Sequence, residues 1–285
     1  MTSIQKVPQR APRRGLEARP FLKWAGGKSQ LLADILDRFP SSFGTYHEPF
    51  VGSGALFFRL ACEGRLKKVS LSDINRNLID TWTALRDDVE VVISYLLDHI
   101  NDPDWFYRVR SQDPAQLVPA ERAARMIYLN KTCFNGLYRE NRAGHFNVPF
   151  GRYSNPNICD ADNLRAVSRL LKPVDITCRP YDLVLERAKA GDLVYFDPPY
   201  HPISATSSFT GYDRHGFGIE DQKRLRDTFT ELSNRGVHVL LSNSDTPAIR
   251  ELYSNFKIDQ VFATRAINSK ADKRGKVAEV IVRSF

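Results

Sequence analysis

Apolar residues follow two alternating rhythms along this chain. Short apolar runs closed by a polar stop read as buried strands, and stretches with apolar residues three and four apart read as helices. "TYHEPFVGSGALFFRLACEG" predicts a short strand, a glycine turn and a helix ending at Gly64. "KKVSLSD" predicts a strand that stops at Asp73, and "INRNLIDTWTALR" a helix. Helical spacing continues from Asp87 to Lys131, and Asn135 to Pro156 then lose any regular period. A helix over "NICDADNLRAVSRLLK" and a strand over "VDITC" resume the rhythm. Strand "DLVYFD", helix "EDQKRLRDTFTELSNRG" and strand "VHVLLSN" continue it, and "FKIDQVFATRAI" with "KVAEVIVRSF" suits an antiparallel pair. Alternating strands and helices imply an α/β fold with a mainly parallel sheet covered on both faces.

Three divisions follow from this pattern. Residues 1–19 are basic, contain proline and lack periodicity, so they read as a disordered arm. Residues 20–73 and 157–285 form the α/β domain, and residues 74–156 read as an insert in its loop region, where binding residues tend to sit. The 285 residues carry a formal charge of +8, which makes a polyanionic partner plausible and does not by itself establish one. Four scattered cysteines have no metal-ligand or disulfide spacing, so no metal is expected and a reducing cytoplasm is. No apolar run reaches the length of a membrane span, and no apolar signal core opens the chain.

The candidate chemistry lies at the strand ends. In "HEPFVGSGA", Gly52 and Gly54 stand between a strand and a helix, where glycine permits positive φ and lets a ligand approach the helix N-terminus. Asp73 ends the next strand, where a carboxylate suits the two hydroxyls of a ribose. Phe57 stands where the dinucleotide fingerprint needs its third glycine, so no pyrophosphate contact is implied. The glycines alone fit a plain tight turn equally well. Upstream, "PFLKWAGGKSQLL" misses the spacing of a phosphate loop. Trp24 there can cover an apolar or sulfonium-bearing ligand and Lys28 can pair with a ligand carboxylate, although a surface lysine at a helix start fits Lys28 as well. "LVYFDPPY" closes a buried strand on Asp197 and two prolines that cannot continue the sheet, which holds Asp197 and Tyr200 in one rigid corner.

"FLKWAGGK", "EPFVGSGALF", "LSDINRNLI", "NGLYRENRAGHFNVPFGRY" and "VYFDPPY", in that order, resemble the Dam type of DNA adenine-N6 methyltransferase, the D12 class. The match runs from Pro20 to the C-terminus. It implies a Rossmann-like class I methyltransferase sheet, mainly parallel with one antiparallel strand, and an inserted helical DNA-recognition domain. The implied cofactor is S-adenosylmethionine, released as S-adenosylhomocysteine and held by Trp24, Lys28, Phe50, Gly52, Gly54, Asp73 and Asp197. Asp197, Pro198 and Tyr200 become catalytic. The Asp197 carboxylate and Pro198 carbonyl accept the two N–H bonds of an adenine amine, and Tyr200 stacks on a base flipped out of the duplex. Asp182 is a weaker candidate for a cofactor contact and reads more simply as an acid in the first turn of a helix.

The resemblance makes residues 134–153 a recognition hairpin. Arg139 falls on an arginine that reads guanine, and Phe134 on an aromatic wedge in the base stack. Asn135, Leu137, Pro149 and Tyr153 match neighbouring contacts, Lys23 matches a contact to the first base pair, and Arg152 with the loop Lys270 to Lys276 meets phosphates. The implied partner is double-stranded DNA and the implied site GATC. A monomer in the cytoplasm is expected, at the nucleoid or in a host cell for a phage-borne chain. Without the resemblance, the hairpin reads as a solvated loop. "SATSSFTGYDRHGFG" reads as a lid or as a surface loop. Two rivals are an RNA or protein amide methyltransferase and a DNA binder without turnover. Asp197 in place of the asparagine of glutamine methylation disfavours the protein substrate, and the complete cofactor corner disfavours the pure binder.

Overall fold

The computed structural model describes residues 18–24, 28–141, 144–203, 217–264 and 276–285. Seven strands form one sheet: β1 (Thr45–Glu48), β2 (Lys68–Asp73), β3 (Asp175–Cys178), β4 (Leu193–Phe196), β5 (His238–Ser244), β6 (Lys257–Thr264) and β7 (Lys276–Arg283). Their spatial order is β3-β2-β1-β4-β5-β7-β6. Strands β1 to β5 are parallel, and β7 runs antiparallel to both β5 and β6. The sheet is therefore the one the strand pattern and the resemblance led us to expect.

Side chains of β4 alternate between two apolar layers. Leu193 and Tyr195 join the larger cluster with Leu71, Trp82 and Tyr128, while Val194 and Phe196 join Leu225, Phe229 and Tyr253 on the other face. Helices α1 (Leu32–Leu36), α2 (Ala55–Cys62), α3 (Arg76–Leu97) and α6 (Ala161–Leu171) contribute to the first layer. Helices α7 (Ile219–Asn234) and α8 (Pro247–Leu252) contribute to the second.

The helical stretch expected from Asp87 to Lys131 is interrupted twice by prolines. Helix α3 ends at Leu97, α4 (Pro103–Ser111) opens on Pro103, and α5 (Pro119–Thr132) opens on Pro119. Proline has no amide hydrogen to lose at a helix's first position, so it starts helices and does not continue them. Asp102 caps α4 by accepting the Trp105 amide at 2.8 Å. Apolar packing passes from sheet to insert without a break, since Phe106 and Tyr128 share the cluster that holds Leu71.

The expected basic arm falls, up to residue 17, outside the described residues, whereas Ala18 is buried and the Arg19 amide donates to Asn163 Oδ1 at 3.0 Å. Most of the expected lid (204–216) and of the basic loop (265–275) also lies outside them. All four cysteines are free, and no described helix is long and apolar enough to cross a membrane.

Candidate active site

The sheet's connections change direction between β1 and β4. Chain leaving β1 runs toward β2 and β3, whereas chain leaving β4 runs toward β5. Such a switch point opens a crevice at the carboxyl ends of the strands, where α/β proteins bind ligands. Glu48, Asp73 and Asp197 all stand at those ends, on β1, β2 and just beyond β4.

The glycine turn after β1 is built by close packing. Gly54 has φ 67° and a Cβ there would lie 2.5 Å from Trp82, while a Cβ on Gly52, at φ 47°, would lie 2.8 Å from Trp24. Any larger residue would strain the backbone and displace an indole. The Gly52 carbonyl accepts from Trp82 Nε1 at 3.2 Å, and the Gly52 amide donates to Asp73 Oδ2 at 3.2 Å. Asp73 Oδ1 accepts from the Asn75 amide at 3.0 Å, so backbone donors orient both carboxylate oxygens. Asn75 in turn caps α3 by accepting from the Leu78 amide at 3.0 Å. Across the crevice Phe50 stacks on Tyr181 with centroids 5.2 Å apart, and Phe217 packs edge-on against both rings. Asp182 lies in the first turn of the short helix Tyr181–Glu186, the simpler of its two readings.

Lys28 pairs with a carboxylate of the protein itself. Its ammonium is 2.7 Å from Asp197 Oδ1 and 4.5 Å from the centre of the Tyr200 ring, with the side chain only 6% exposed. The structure therefore brings Lys28 and Asp197, two expected cofactor residues, together with Tyr200, the expected catalytic aromatic. Burial pushes the Asp197 carboxyl up, against the lowering influence of Lys28 and Ser242. Glu48 is more strongly affected: burial raises it to about 8, with the nearby Asp197 adding to the rise and the Tyr46 hydrogen bond opposing it. The Tyr46 hydroxyl donates to Glu48 Oε2 at 2.9 Å.

Several supporting residues gave no direct sequence cue. Ser242 Oγ donates to Asp197 Oδ1 at 3.4 Å and lies 2.6 Å from the Tyr195 hydroxyl. Tyr200 donates to Glu279 Oε2 at 2.9 Å, which fixes the direction of its ring. Gln222 Nε2 donates to the Pro199 carbonyl at 3.0 Å, and Asn243 Nδ2 holds Gln222 Oε1 at 3.0 Å. Among the described residues, Asp197 Oδ2 and the Pro198 carbonyl receive no hydrogen bond. An available signal was the polar end of a buried strand, Ser242, Asn243 and Ser244, together with a lone acid, Glu279, inside apolar β7.

The expected hairpin is present as an irregular arm closed by two isolated bridges, Cys133 to Phe150 and Glu140 to Phe146. Phe134 is 51% exposed at its tip, and Asn135 beside it has φ 56°. Arg139 is exposed, with Nε donating to Asn147 Oδ1 at 2.7 Å. Pro149 and Arg152 are also exposed, and Leu137 and Tyr153 are half-buried. The Lys23 ammonium lies 4.9 Å from the centre of the Tyr153 ring, and Asn130 clamps the Lys23 backbone through 2.8 Å bonds in both directions. Trp24 stacks on Tyr138 with centroids 5.0 Å apart, so the segment expected to border the cofactor touches the arm directly.

A family model described as D12 class N6 adenine-specific DNA methyltransferase matches residues 24–267, and the chain belongs to that family. It is 42% identical over 278 residues to Type II methyltransferase M1.LlaDCHI of Lactococcus lactis subsp. cremoris, covering 95% of this chain and 96% of that one. It is 43% identical over 289 residues to Type II methyltransferase M.MjaIII of Methanocaldococcus jannaschii, covering 95% and 100%. The DNA adenine methylase of Haemophilus influenzae is 36% identical over 272 residues, 93% of each chain. The protein is an adenine-specific DNA methyltransferase.

Proposed function

We propose that the protein transfers a methyl group from S-adenosylmethionine to N6 of an adenine flipped out of duplex DNA, within GATC. One observation carries the catalytic part. At the Asp197 corner, one carboxylate oxygen and the Pro199 carbonyl are occupied by Lys28, Ser242 and Gln222, while Asp197 Oδ2 and the Pro198 carbonyl stay available. An exocyclic amine has two N–H bonds, and a pair of acceptors is what it requires.

The residues present suit the cofactor. Asp73, oriented by two amides at the end of β2, is the carboxylate assigned to the ribose hydroxyls, and the Gly52–Gly54 turn lets a ligand approach the backbone. Phe50 offers an aromatic wall, and Trp24 borders the same turn. The cofactor supplies an electrophilic methyl on a positively charged sulfur.

The chain's own groups do the rest. Adenine's amine is a weak nucleophile because its lone pair is delocalised into the ring. Hydrogen bonds to Asp197 Oδ2 and the Pro198 carbonyl favour a pyramidal nitrogen and turn that lone pair outward. Tyr200, anchored by Glu279, stacks on the base. The nitrogen loses its proton after the new C–N bond has made it acidic, so Asp197 need not be a strong base.

Arg139 on the exposed arm is assigned to guanine, with Phe134 as the wedge that replaces the flipped base. Asn135, Leu137, Pro149 and Tyr153 line the same arm, and Lys23 and Arg152 flank it. Mapping modified adenines in DNA treated with the purified protein tests the whole reading. Methylated adenines confined to GATC are expected. Methyl transfer at other adenines would remove the specificity, and labelled methyl found only in RNA would remove the substrate.

A further inference from the structure

Two paths lead from the crevice to the recognition arm, and both end on Tyr138. The first is apolar: the Trp24 ring packs on Gly52 and stacks on Tyr138, 5.0 Å between centroids and 24° between planes. The second is polar and starts at Asp73. Its Oδ1 accepts from the Asn75 amide at 3.0 Å, and Asn75 caps α3. Asn77, in the first turn of α3, reaches the Tyr138 hydroxyl at 3.3 Å and Glu140 Oε1 at 3.1 Å. The Tyr138 hydroxyl donates to Glu140 in its turn.

Alternation then connects this cluster to Arg139. Tyr138 is 5% exposed and faces the interior with Glu140, so Arg139 between them faces out. The Asn147 amide donates to the Arg139 carbonyl at 3.0 Å, which ties both sides of the arm to the same unit. Behind the cluster lies a small cavity lined by Asn77, Arg122, Met126, Tyr138, Glu140 and Phe146. A coupling element needs contact with both sites, and this cluster touches both.

We propose that Tyr138 is a positioning residue that couples occupancy of the cofactor crevice to the aim of Arg139. This rests on the reading of Arg139 as a guanine contact. Cofactor seated against Trp24 and Asp73 fixes the Tyr138 ring and its Glu140–Asn77 partners, and the arm then holds Arg139 for one base. By reciprocity, the preferred duplex must tighten cofactor binding by the factor through which cofactor sharpens base choice.

The experiment measures S-adenosylhomocysteine affinity by calorimetry with a GATC duplex and with duplexes substituted at each guanine. The ratio of the two affinities is a coupling factor taken within one protein, so a general loss of stability or of cofactor affinity cancels. For the unaltered protein roughly fivefold or more is expected. Tyr138→Phe, which keeps the stack and loses the hydroxyl, should lower the factor, and Tyr138→Leu should bring it close to one. Should Tyr138→Leu not fold, Tyr138→Phe combined with Glu140→Gln carries the same expectation. An undiminished factor in these variants, or a factor of one in the unaltered protein, overturns the proposal. Arg139→Ala separates the two ideas: if it leaves base preference intact, the reading of Arg139 fails, and if it relaxes preference while Tyr138→Leu keeps its coupling, only the role of Tyr138 fails.

Discussion

Replacing Asp197 by Asn should separate the stability of the catalytic corner from its chemistry. The substitution keeps shape and removes a charge 2.7 Å from the Lys28 ammonium, whose side chain is 6% exposed. Leaving one member of a buried ion pair alone costs about 3–5 kcal/mol. The lower end applies here, because the Tyr200 ring holds the ammonium 4.5 Å from its centre. For a chain of this size about 3 kcal/mol corresponds to a Tm loss of roughly 6–12 °C. Activity should fall further than stability, by about 10²–10³-fold in single-turnover rate at saturating cofactor, because an acceptor aimed at the reacting nitrogen is gone.

A second variant completes this test. Adding Lys28→Met to Asp197→Asn removes the cation that faces the neutralised side chain and should recover most of the lost Tm, since a neutral pair in a buried site can match an ionic one. It should not recover the rate. Thermal melts and single-turnover methylation of the same duplex measure both quantities. If the double variant regains rate together with Tm, the carboxylate serves only to hold the fold, and its assignment to the amine is wrong.

Three further outcomes are expected. Asp73→Ala should weaken S-adenosylmethionine binding by about 1.5–3 kcal/mol through lost charge-assisted hydrogen bonds, and unchanged affinity by calorimetry would place the ribose elsewhere. Arg139→Ala should cost about 1–3 kcal/mol of discrimination at one guanine, read from methylation rates on singly substituted duplexes at fixed salt, and equal slowing on every duplex would make Arg139 a backbone clamp. Glu48 keeps its proton in the folded chain up to about 8, whereas the unfolded chain releases it near 4.5, so folding binds a proton and stability falls as pH rises between those values. Glu48→Gln removes that loss, at most about 1.4 kcal/mol per pH unit, so its Tm advantage over the unaltered chain should widen across this window, and a constant offset would refute the shift.

The sequence made the strand ends legible because strands stop abruptly. Asp73 and Asp197 each close an apolar run, and Gly52 and Gly54 break the pattern between strand and helix. Pairings between distant segments were not legible. Nothing in "WAGGKSQ" says that Lys28 will meet Asp197, because the sheet brings them together only after β1 and β4 have paired. Gln222, Asn243 and Glu279 belong to the same class: each is an ordinary polar residue until its strand or helix packs beside the proline corner. The breaks in the insert were visible as Pro103 and Pro119, yet the apolar spacing around them concealed the breaks. The arm lacked a strand period in sequence, and it has only two bridges in space.

Three carboxylates at one crevice pose an electrostatic problem, and the chain resolves each by different means. Asp73 accepts from two backbone amides. Asp197 is matched by a buried ammonium. Glu48, fully buried, holds its proton up to about 8 although the Tyr46 hydroxyl and the Phe57 amide donate to it. Lys28 thus offsets Asp197, and Glu48 keeps its proton up to about 8. Ionising Glu48 would place a second negative charge beside Asp197 and compete for the same ammonium. The neutral state of Glu48 thus bears on the direction of Asp197 Oδ2, the oxygen on which the proposed amine contact depends.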